Sequence, residues 1–258
     1  MRTPNSFTSE ASSLAASLHA VRPLALAGWS NVESRNDGVL IKIATNRGER
    51  AGAFELAYRS YSQAGLCGLS RTAMRISSHQ LLPCTDVFVA LQRGEVISTL
   101  SLVRDGGLGL PLEAIYPDEV RSRRNAGLRL GEVTCLADRH EDKNRFLKLF
   151  PALTRVMMQT AEREGIDQLL IAVHPRHARF YRQAMGFQQI AGHRRYQAVN
   201  GNPALALSLD LKSVRTQQPR IWQRFVGAPL PAEVLQSCPV TESDRRYFAE
   251  AAFSQRAA

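Results

Sequence analysis

A single carboxylate stands inside a short apolar segment near the middle of the chain. Glu132 lies within residues 131–137, GEVTCLA, a run that predicts a β-strand. A carboxylate buried in a strand loses its hydration, which raises its pKa and makes it a better base near neutral pH. Glu132 is therefore a candidate general base. The competing interpretation is a glutamate that is solvated at the strand end or paired with an arginine.

A second group of candidates follows residues 168–173, a nearly all-apolar run that predicts a buried strand. His174 and His177 flank Pro175, and proline favours the first turn of a helix. Open α/β sheets bind ligands at such strand-to-helix junctions, so either histidine could act as a base or bind an anion. Tyr181, in the next turn, could protonate a leaving thiolate. The alternatives are two surface histidines and a core tyrosine.

A polar loop, residues 138–145, leads into an amphipathic helix that extends to residue 164. Free backbone N–H groups and the positive end of the dipole at a helix start suit a phosphate group. We therefore expect Asn144, Arg145 and His177 to bind the phosphate of a phosphopantetheine group. The loop also carries acidic residues, which oppose a more highly charged nucleotide and favour a carrier with one phosphate over CoA. These are Asp138, Glu141 and Asp142.

The pattern of the remaining chain predicts an α/β protein, a mixed α+β sheet with helices on both faces. Strands are predicted at residues 39–44, 86–91, 96–103, 129–137, 168–173, 187–191, 196–199 and 204–211. Helices are predicted at residues 49–64, 117–125 and 144–164 and from Pro175 onward. Asn46 is expected to cap the first helix. Residues 66–83 have no clear period and form a long connection, a kind of segment that often carries function.

The composition divides the chain into three regions. Residues 1–37 are rich in Ser, Ala and Asn and predict a weakly ordered leader. Residues 38–212 contain the alternating strands and helices and predict the main domain. Residues 213–258 change in composition, and the spacing of their aromatic and aliphatic residues predicts two or three short helices, a helical C-terminal appendage.

The charge balance limits the choice of partners. The 258 residues are 44% hydrophobic and carry 33 Lys and Arg against 23 Asp and Glu, a net charge of +10. Such a charge attracts nucleic acid, anionic lipid or an acidic protein. The arginine clusters are not interleaved with aromatic residues, as a nucleic-acid stacking surface requires, so no nucleic-acid partner is expected. A peripheral contact with a membrane surface remains compatible with the charge.

The cysteines argue for a reducing compartment. The four cysteines are far apart and form neither a CxxC pair nor a zinc pattern, so no metal is expected and a cytoplasmic location is predicted. Cys135 has no motif around it, which favours a small buried hydrophobe over a nucleophile. No apolar run is long enough to span a bilayer.

Several short segments in a fixed order resemble the N-acyl amino acid synthase (FeeM-like) family. That family is a GNAT-superfamily branch related to the acyl-homoserine-lactone synthases. The resemblance runs from residue 39 to residue 211 and rests on residues 58–61 (YRSY), 99–103 (TLSLV), 110–111 (LP), 131–137, 171–177 (IAVHPRH), 180–181 (FY), 186–187 (GF), 196–199 and 203–204. It implies a GNAT, or acyl-CoA N-acyltransferase, fold. It also implies transfer of a long-chain acyl group from acyl carrier protein to the α-amino group of an amino acid.

The resemblance also implies roles for individual residues. Glu132 matches the acidic residue that helps to deprotonate the amine, and Arg59 and Tyr61 fall in the segment that shapes the substrate cleft. The family strand continues Glu-x-Ser-Arg, whereas this chain has no arginine there. We expect the backbone of the strand after Glu132 to hold substrate and polarise the thioester carbonyl, through Val133, Thr134, Cys135 and Leu136.

The sequence thus favours an N-acyltransferase in which the amine attacks the thioester directly and Glu132 is the general base. No bound cofactor is expected, because the acyl group arrives on acyl-phosphopantetheine of a carrier protein or on acyl-CoA. One alternative is a CoA-dependent N-acetyltransferase of a small amine or protein. Another is a catalytically idle binding protein with the same fold, which uses its basic face for a partner.

Overall fold

The computed structural model describes residues 38–139 and 143–254, which form a mixed eight-stranded sheet with helices on both faces. The strand order is β1-β2-β3-β4-β5-β8-β6, and β7 pairs with β8. All pairs are antiparallel except β4 and β5. The strands are β1 (Val39–Ile43), β2 (Thr85–Gln92), β3 (Glu95–Arg104), β4 (Leu130–Asp138), β5 (Gln168–Val173), β6 (Gln188–Gln189), β7 (Arg194–Tyr196) and β8 (Asn202–Asp210). The predicted mixed sheet is confirmed.

Local signals in the sequence set the ends of several helices. The Asn46 side chain accepts a hydrogen bond from the Glu49 N–H, so the predicted cap is confirmed. Pro175 starts its helix, and Gly186, with φ of +80°, ends it. The helices are α1 (Arg47–Gln63), α2 (Pro117–Asn125), α3 (Lys143–Arg163), α4 (Pro175–Met185), α5 (Leu211–Gln217), α6 (Pro219–Phe225) and α7 (Glu242–Ser254).

Successive side chains of each strand point to opposite faces of the sheet, so the hydrophobic core is divided between the two faces. In β2, Phe88 faces α3, whereas Val87 and Val89 face α1. The α3 face is the larger and is completed by side chains of α4, α5 and α6. On the other face, α1 packs beside α7, while α2 and the 3₁₀ turn Pro111–Ala114 cover β4, β5 and β8. The sheet is therefore shielded on both sides around the middle of β4.

The strands β4 and β5 stay paired over only three residues. Their register joins Leu130, Gly131 and Glu132 to Gln168, Leu169 and Leu170, and no pair follows Glu132. Opposite β3, the partners change from Ser101↔Thr134 to Thr99↔Ala137, so β4 holds one extra residue there. Cys135 lies in this bulge with φ of +54°, a left-handed conformation that is uncommon for residues other than glycine. The bulge changes the direction of β4 shortly after Glu132, where β4 separates from β5.

The C-terminal part of the described chain differs in detail from the sequence-based expectation. The predicted strand at residues 196–199 is wrong: β7 ends at Tyr196, and Gln197–Val199 is a 3₁₀ turn. Tyr196 pairs with Asn202, so the chain must reverse direction within the intervening residues. Beyond residue 212, Val214, Phe225 and Leu235 belong to the main core. The division into a leader, a main domain and an appendage stays a prediction, and residues 1–37 lie outside the described part. Among the described helices, none is long and apolar enough to cross a bilayer.

Candidate active site

A cavity of about 210 Å³ opens where β4 and β5 separate. Its polar lining includes Glu132, Tyr61, Arg75 and Tyr196, which come from four distant parts of the chain. The wall formed by α3 is apolar and contains Phe146, Phe150 and Met157, and Met185 and Phe187 extend it at the end of α4. The cavity therefore combines a polar region beside Glu132 with an apolar wall that suits an aliphatic chain.

Glu132 lies at the last paired position of β4 and is only 1% exposed. Its Oε2 accepts a hydrogen bond of 2.7 Å from the Leu112 N–H in the 3₁₀ turn Pro111–Ala114. Burial raises the pKa of Glu132 to about 8, and the Glu113 charge adds to this rise, although the Leu112 hydrogen bond favours the ionised form. A carboxyl group with this pKa can accept a proton near neutral pH and release it again, as a general base must.

The cavity also contains an arginine that the sequence analysis did not select. Arg75 lies in the connection between α1 and β2, and its guanidinium stacks on the Tyr61 ring, 4.2 Å from the ring centroid. The buried side chains of Met74 and Ile76 flank it, and its backbone N–H donates to the Phe54 carbonyl. The only sequence signal that could have identified Arg75 is its place in a long connection whose apolar residues follow no helix or strand period.

Tyr196 completes the polar part of the cavity. Its hydroxyl donates a hydrogen bond of 3.2 Å to the Pro111 carbonyl, so the turn that holds Glu132 also positions this phenol. Burial and the neighbouring Glu132 carboxylate raise the pKa of Tyr196, which keeps the phenol protonated at neutral pH. The sequence analysis assigned Tyr196 to a strand in the resemblance and gave it no role.

The two histidines and Tyr181 lie on the cavity wall at the start of α4. The Nδ1 of His174 accepts a hydrogen bond from the Arg176 N–H, and burial together with the Arg176 charge lowers its pKa. The Nε2 of His177 accepts from the Arg176 Nε at 3.1 Å. Burial raises the pKa of Tyr181 to about 12, so its phenol keeps a proton that it can donate. Each histidine thus accepts a hydrogen bond from Arg176 through one ring nitrogen.

The structure brings most of the predicted site residues to one cavity, but not all of them. The cavity is lined by Glu132, His174, Tyr181, Tyr61, Val133, Thr134, Cys135, Leu136 and His177. Arg59 is exposed on α1 and does not line the cavity, and Arg145 is half-buried but also lies off its wall. Asn144 lies in the first turn of α3, and its side chain falls outside the described part, as do residues 140–142 of the loop. A role for these three residues stays a prediction.

Comparison with known proteins places this chain in a family. The sequence model of the N-acyl amino acid synthase FeeM family matches residues 52–210, more than half of the chain. The solved structure of FeeM, an N-acyl amino acid synthase from uncultured soil microbes, is 27% identical with a TM-score of 0.61, covering 69% of this chain and 94% of that one. No curated protein sequence matches the chain.

Two acyl-homoserine lactone synthases share the fold at lower identity. LasI is 12% identical with a TM-score of 0.57, covering 75% of this chain and 98% of that one. BjaI, a CoA-dependent enzyme solved with SAM and isopentyl-CoA, is 16% identical with a TM-score of 0.52, covering 75% and 95%. The predicted GNAT-type acyltransferase fold is confirmed. The chain belongs to the N-acyl amino acid synthase FeeM family and is an acyltransferase.

Proposed function

We propose that this protein transfers an acyl group from the phosphopantetheine thioester of an acyl carrier protein to the amino group of an amino acid, with Glu132 as the general base. The observation that carries the proposal is the position of Glu132. It is a buried carboxyl group with a pKa of about 8, at the point where β4 and β5 separate and the cavity begins. The family relationship supports the reaction type.

The separated strands offer a binding mode for the thioester. Beyond Glu132, β4 has no partner on its β5 side, so backbone groups of Val133, Thr134, Cys135 and Leu136 are available to the amides of pantetheine. A backbone N–H directed at the thioester carbonyl oxygen would stabilise the charge that develops there. The apolar wall of α3 would hold the acyl chain.

The proton transfers follow from this arrangement. Glu132, as the carboxylate, takes a proton from the acceptor ammonium group, and the free amine attacks the thioester carbonyl carbon. The new C–N bond forms and the C–S bond breaks, and the proton lost by the amide nitrogen balances the one gained by the departing thiolate. Tyr181 donates a proton to the thiolate and then takes up the proton that the new amide nitrogen loses. No covalent enzyme intermediate is needed.

The surface of α4 supports an acidic carrier protein as the donor. Arg176, Arg179 and Arg182 recur every third residue along α4, and none of them forms an ion pair with a carboxylate of the described residues. Arg179 and Arg182 line an open groove of about 780 Å³, and Phe187 borders both this groove and the cavity. An acidic partner on α4 would therefore stand beside the cavity entrance.

The arginines of α2 do not offer an equivalent surface. Arg124 forms ion pairs with Asp105 and Glu113, and Arg121 pairs with Asp118. Their charges are already balanced within the molecule, so a partner gains less from them. Acyl-CoA remains the second candidate donor, because the same unpaired arginines on α4 could bind its phosphates.

The experiment compares donors and variants in one assay. Purified protein is incubated with a mixture of the twenty amino acids and either acyl carrier protein or CoA that carries the same acyl chain, and products are identified by mass spectrometry. We expect N-acyl amino acids from the carrier-protein donor, and a rate about 10²–10⁴-fold lower for Glu132→Gln. Because only ionised Glu132 can accept a proton, activity should rise with pH up to about 8.

Matched controls separate the parts of the proposal. Glu55 is exposed on α1, and Glu55→Gln should retain wild-type activity. Product from acyl-CoA alone would refute the carrier protein as donor. Equal rates for wild type and Glu132→Gln would refute the general base, and absence of any N-acyl product with both donors would refute the synthase assignment.

A further inference from the structure

Arg75 is a half-buried cation whose hydrogen-bonding capacity is only partly used. Its Nη2 donates a hydrogen bond of 2.8 Å to the Ala198 carbonyl, and its Nε is buried without a hydrogen-bond partner. The Tyr61 ring fixes the plane of the guanidinium from one side. A donor that is buried without an acceptor costs free energy, which a ligand that supplies the acceptor would recover.

The groups around Arg75 do not compensate its charge. Its neighbours are the phenols of Tyr61 and Tyr196 and the thiols of Cys67 and Cys135. Burial raises the pKa of Tyr61, Tyr196 and Cys67, so these groups stay uncharged at neutral pH. No carboxylate of the described residues forms an ion pair with Arg75, whereas Arg50, a buried arginine of α1, is paired with Asp244. The cavity therefore presents a positive charge that is left for a ligand.

We propose that Arg75 binds the free carboxylate of the acceptor and thereby restricts the enzyme to amino acids over amines that lack a carboxylate. The proposal rests on the function proposed above, because it concerns the acceptor of that reaction. A guanidinium matches a carboxylate in shape and can donate two parallel hydrogen bonds to it.

The position of Arg75 relative to the base fits an α-amino acid. Arg75 and Glu132 line the same cavity, and Tyr196 lies close enough to both for their charges to affect its pKa. In an α-amino acid, the carboxylate and the amino group are attached to one carbon atom. A carboxylate held at Arg75 would therefore keep the amino group within the same polar region as Glu132. Arg75 and Glu132 then orient the amino acid for attack, because Arg75 binds its carboxylate and Glu132 takes a proton from its amino group.

Two other anions are the competing ligands for Arg75. One is the oxyanion that forms on the thioester carbonyl, and the other is the phosphate of phosphopantetheine. Both belong to the acyl donor, so losing Arg75 would then affect every acceptor to the same extent. A carboxylate contact affects only acceptors that carry a carboxylate. This difference defines the test.

The test compares the preferred amino acid with its primary amide, which retains the amino group and the side chain but has no negative charge. In wild type, kcat/KM should be higher for the amino acid. In Arg75→Gln, kcat/KM for the amino acid should fall about tenfold to hundredfold, through KM more than kcat, while the value for the amide changes less than about threefold. Arg75→Lys should recover part of the loss, since it restores the charge without the planar donor pair. Arg71→Gln, an exposed position in the same connection, is the matched control and should behave as wild type.

A binding measurement separates failure of this proposal from failure of the proposed function. The melting temperature of wild type and Arg75→Gln is measured in the presence of each of the twenty amino acids and of the amides, without any acyl donor. Stabilisation of wild type by an amino acid, absent in Arg75→Gln, supports the carboxylate site even if no product forms. The proposal is overturned if no amino acid stabilises wild type. It is also overturned if Arg75→Gln lowers kcat/KM equally for amino acid and amide.

Discussion

Replacing Glu132 by glutamine should remove a large part of the pH dependence of this protein's stability between pH 5 and pH 8. Burial raises the pKa of Glu132 from 4.5 to about 8 in the folded protein. Over the interval between these values, the unfolded chain has an ionised Glu132 while the folded protein still holds the proton. Folding therefore takes up a proton, and the folded state loses stability as the pH rises.

The size of the effect follows from the size of the pKa shift. Each pH unit between the two pKa values is worth about 1.4 kcal/mol, so the shift amounts to about 3 to 6 kcal/mol when the folded pKa is taken as good to about one unit. The contribution is fully present below pH 4.5 and is lost as the pH rises through about 8. Glutamine has the same shape, keeps an oxygen for the Leu112 N–H and carries no charge at any pH.

The assay is urea unfolding of wild type and Glu132→Gln at several pH values from 5 to 8.5. The free energy of unfolding of the variant, relative to wild type, should increase by about 3 to 5 kcal/mol from the lowest to the highest pH. Other groups with raised pKa, such as Asp86 and Glu162, are present in both proteins and cancel in this difference. Glu55→Gln serves as the exposed control. Parallel curves for wild type and Glu132→Gln would refute the buried, proton-binding state of Glu132.

Three further predictions concern the cavity wall, the bulge and the C-terminal helix. If the α3 wall holds the acyl chain, Met157→Trp should shift the products to shorter acyl chains by mass spectrometry, because the larger ring fills the apolar end. Cys135→Val should lower the free energy of unfolding by about 1 to 2 kcal/mol more than Cys135→Gly does, because a β-branched side chain clashes at φ of +54°. Arg50→Met should cost about 1 to 3 kcal/mol and speed proteolysis of α7, because the Asp244 carboxylate, 7% exposed, loses its buried partner and keeps only the more exposed Arg47.

Each of these has an outcome that would contradict it. An unchanged distribution of chain lengths in an active Met157→Trp enzyme would remove α3 from the acyl-binding site. Equal stability of the valine and glycine variants at position 135 would mean that the left-handed conformation is not maintained in solution. Protection of α7 in Arg50→Met equal to that in wild type would show that the Phe54–Phe248 contact and the Arg47 ion pair hold the helix without Arg50.

Local sequence signals were sufficient for most of the elements. The helix starts at Asn46 and Pro175 and the helix end at Gly186 depend on the conformational preferences of single residues and on hydrogen bonds to near neighbours. The strand around Glu132 was also predicted, since an apolar β-branched run needs only its own pattern to be recognised. The turn at Asn200 and Gly201 is likewise local, because Asn and Gly tolerate the positive φ that both residues have. The strand predicted at residues 196–199 was wrong beyond Tyr196 because the tight reversal there is imposed by pairing between β7 and β8.

By itself, the sequence determined the mixed sheet, the order of its elements and the presence of a carboxylate in an apolar strand. Only the tertiary structure decided that Arg75 and Tyr196 join Glu132 in one cavity. The segment that carries Arg75 is held because Met74 and Ile76 pack in one cluster with Phe54 of α1, a contact between elements that no local pattern encodes. The pKa of Glu132 is equally a tertiary property, because desolvation depends on the side chains that surround a group in space rather than on its neighbours along the chain.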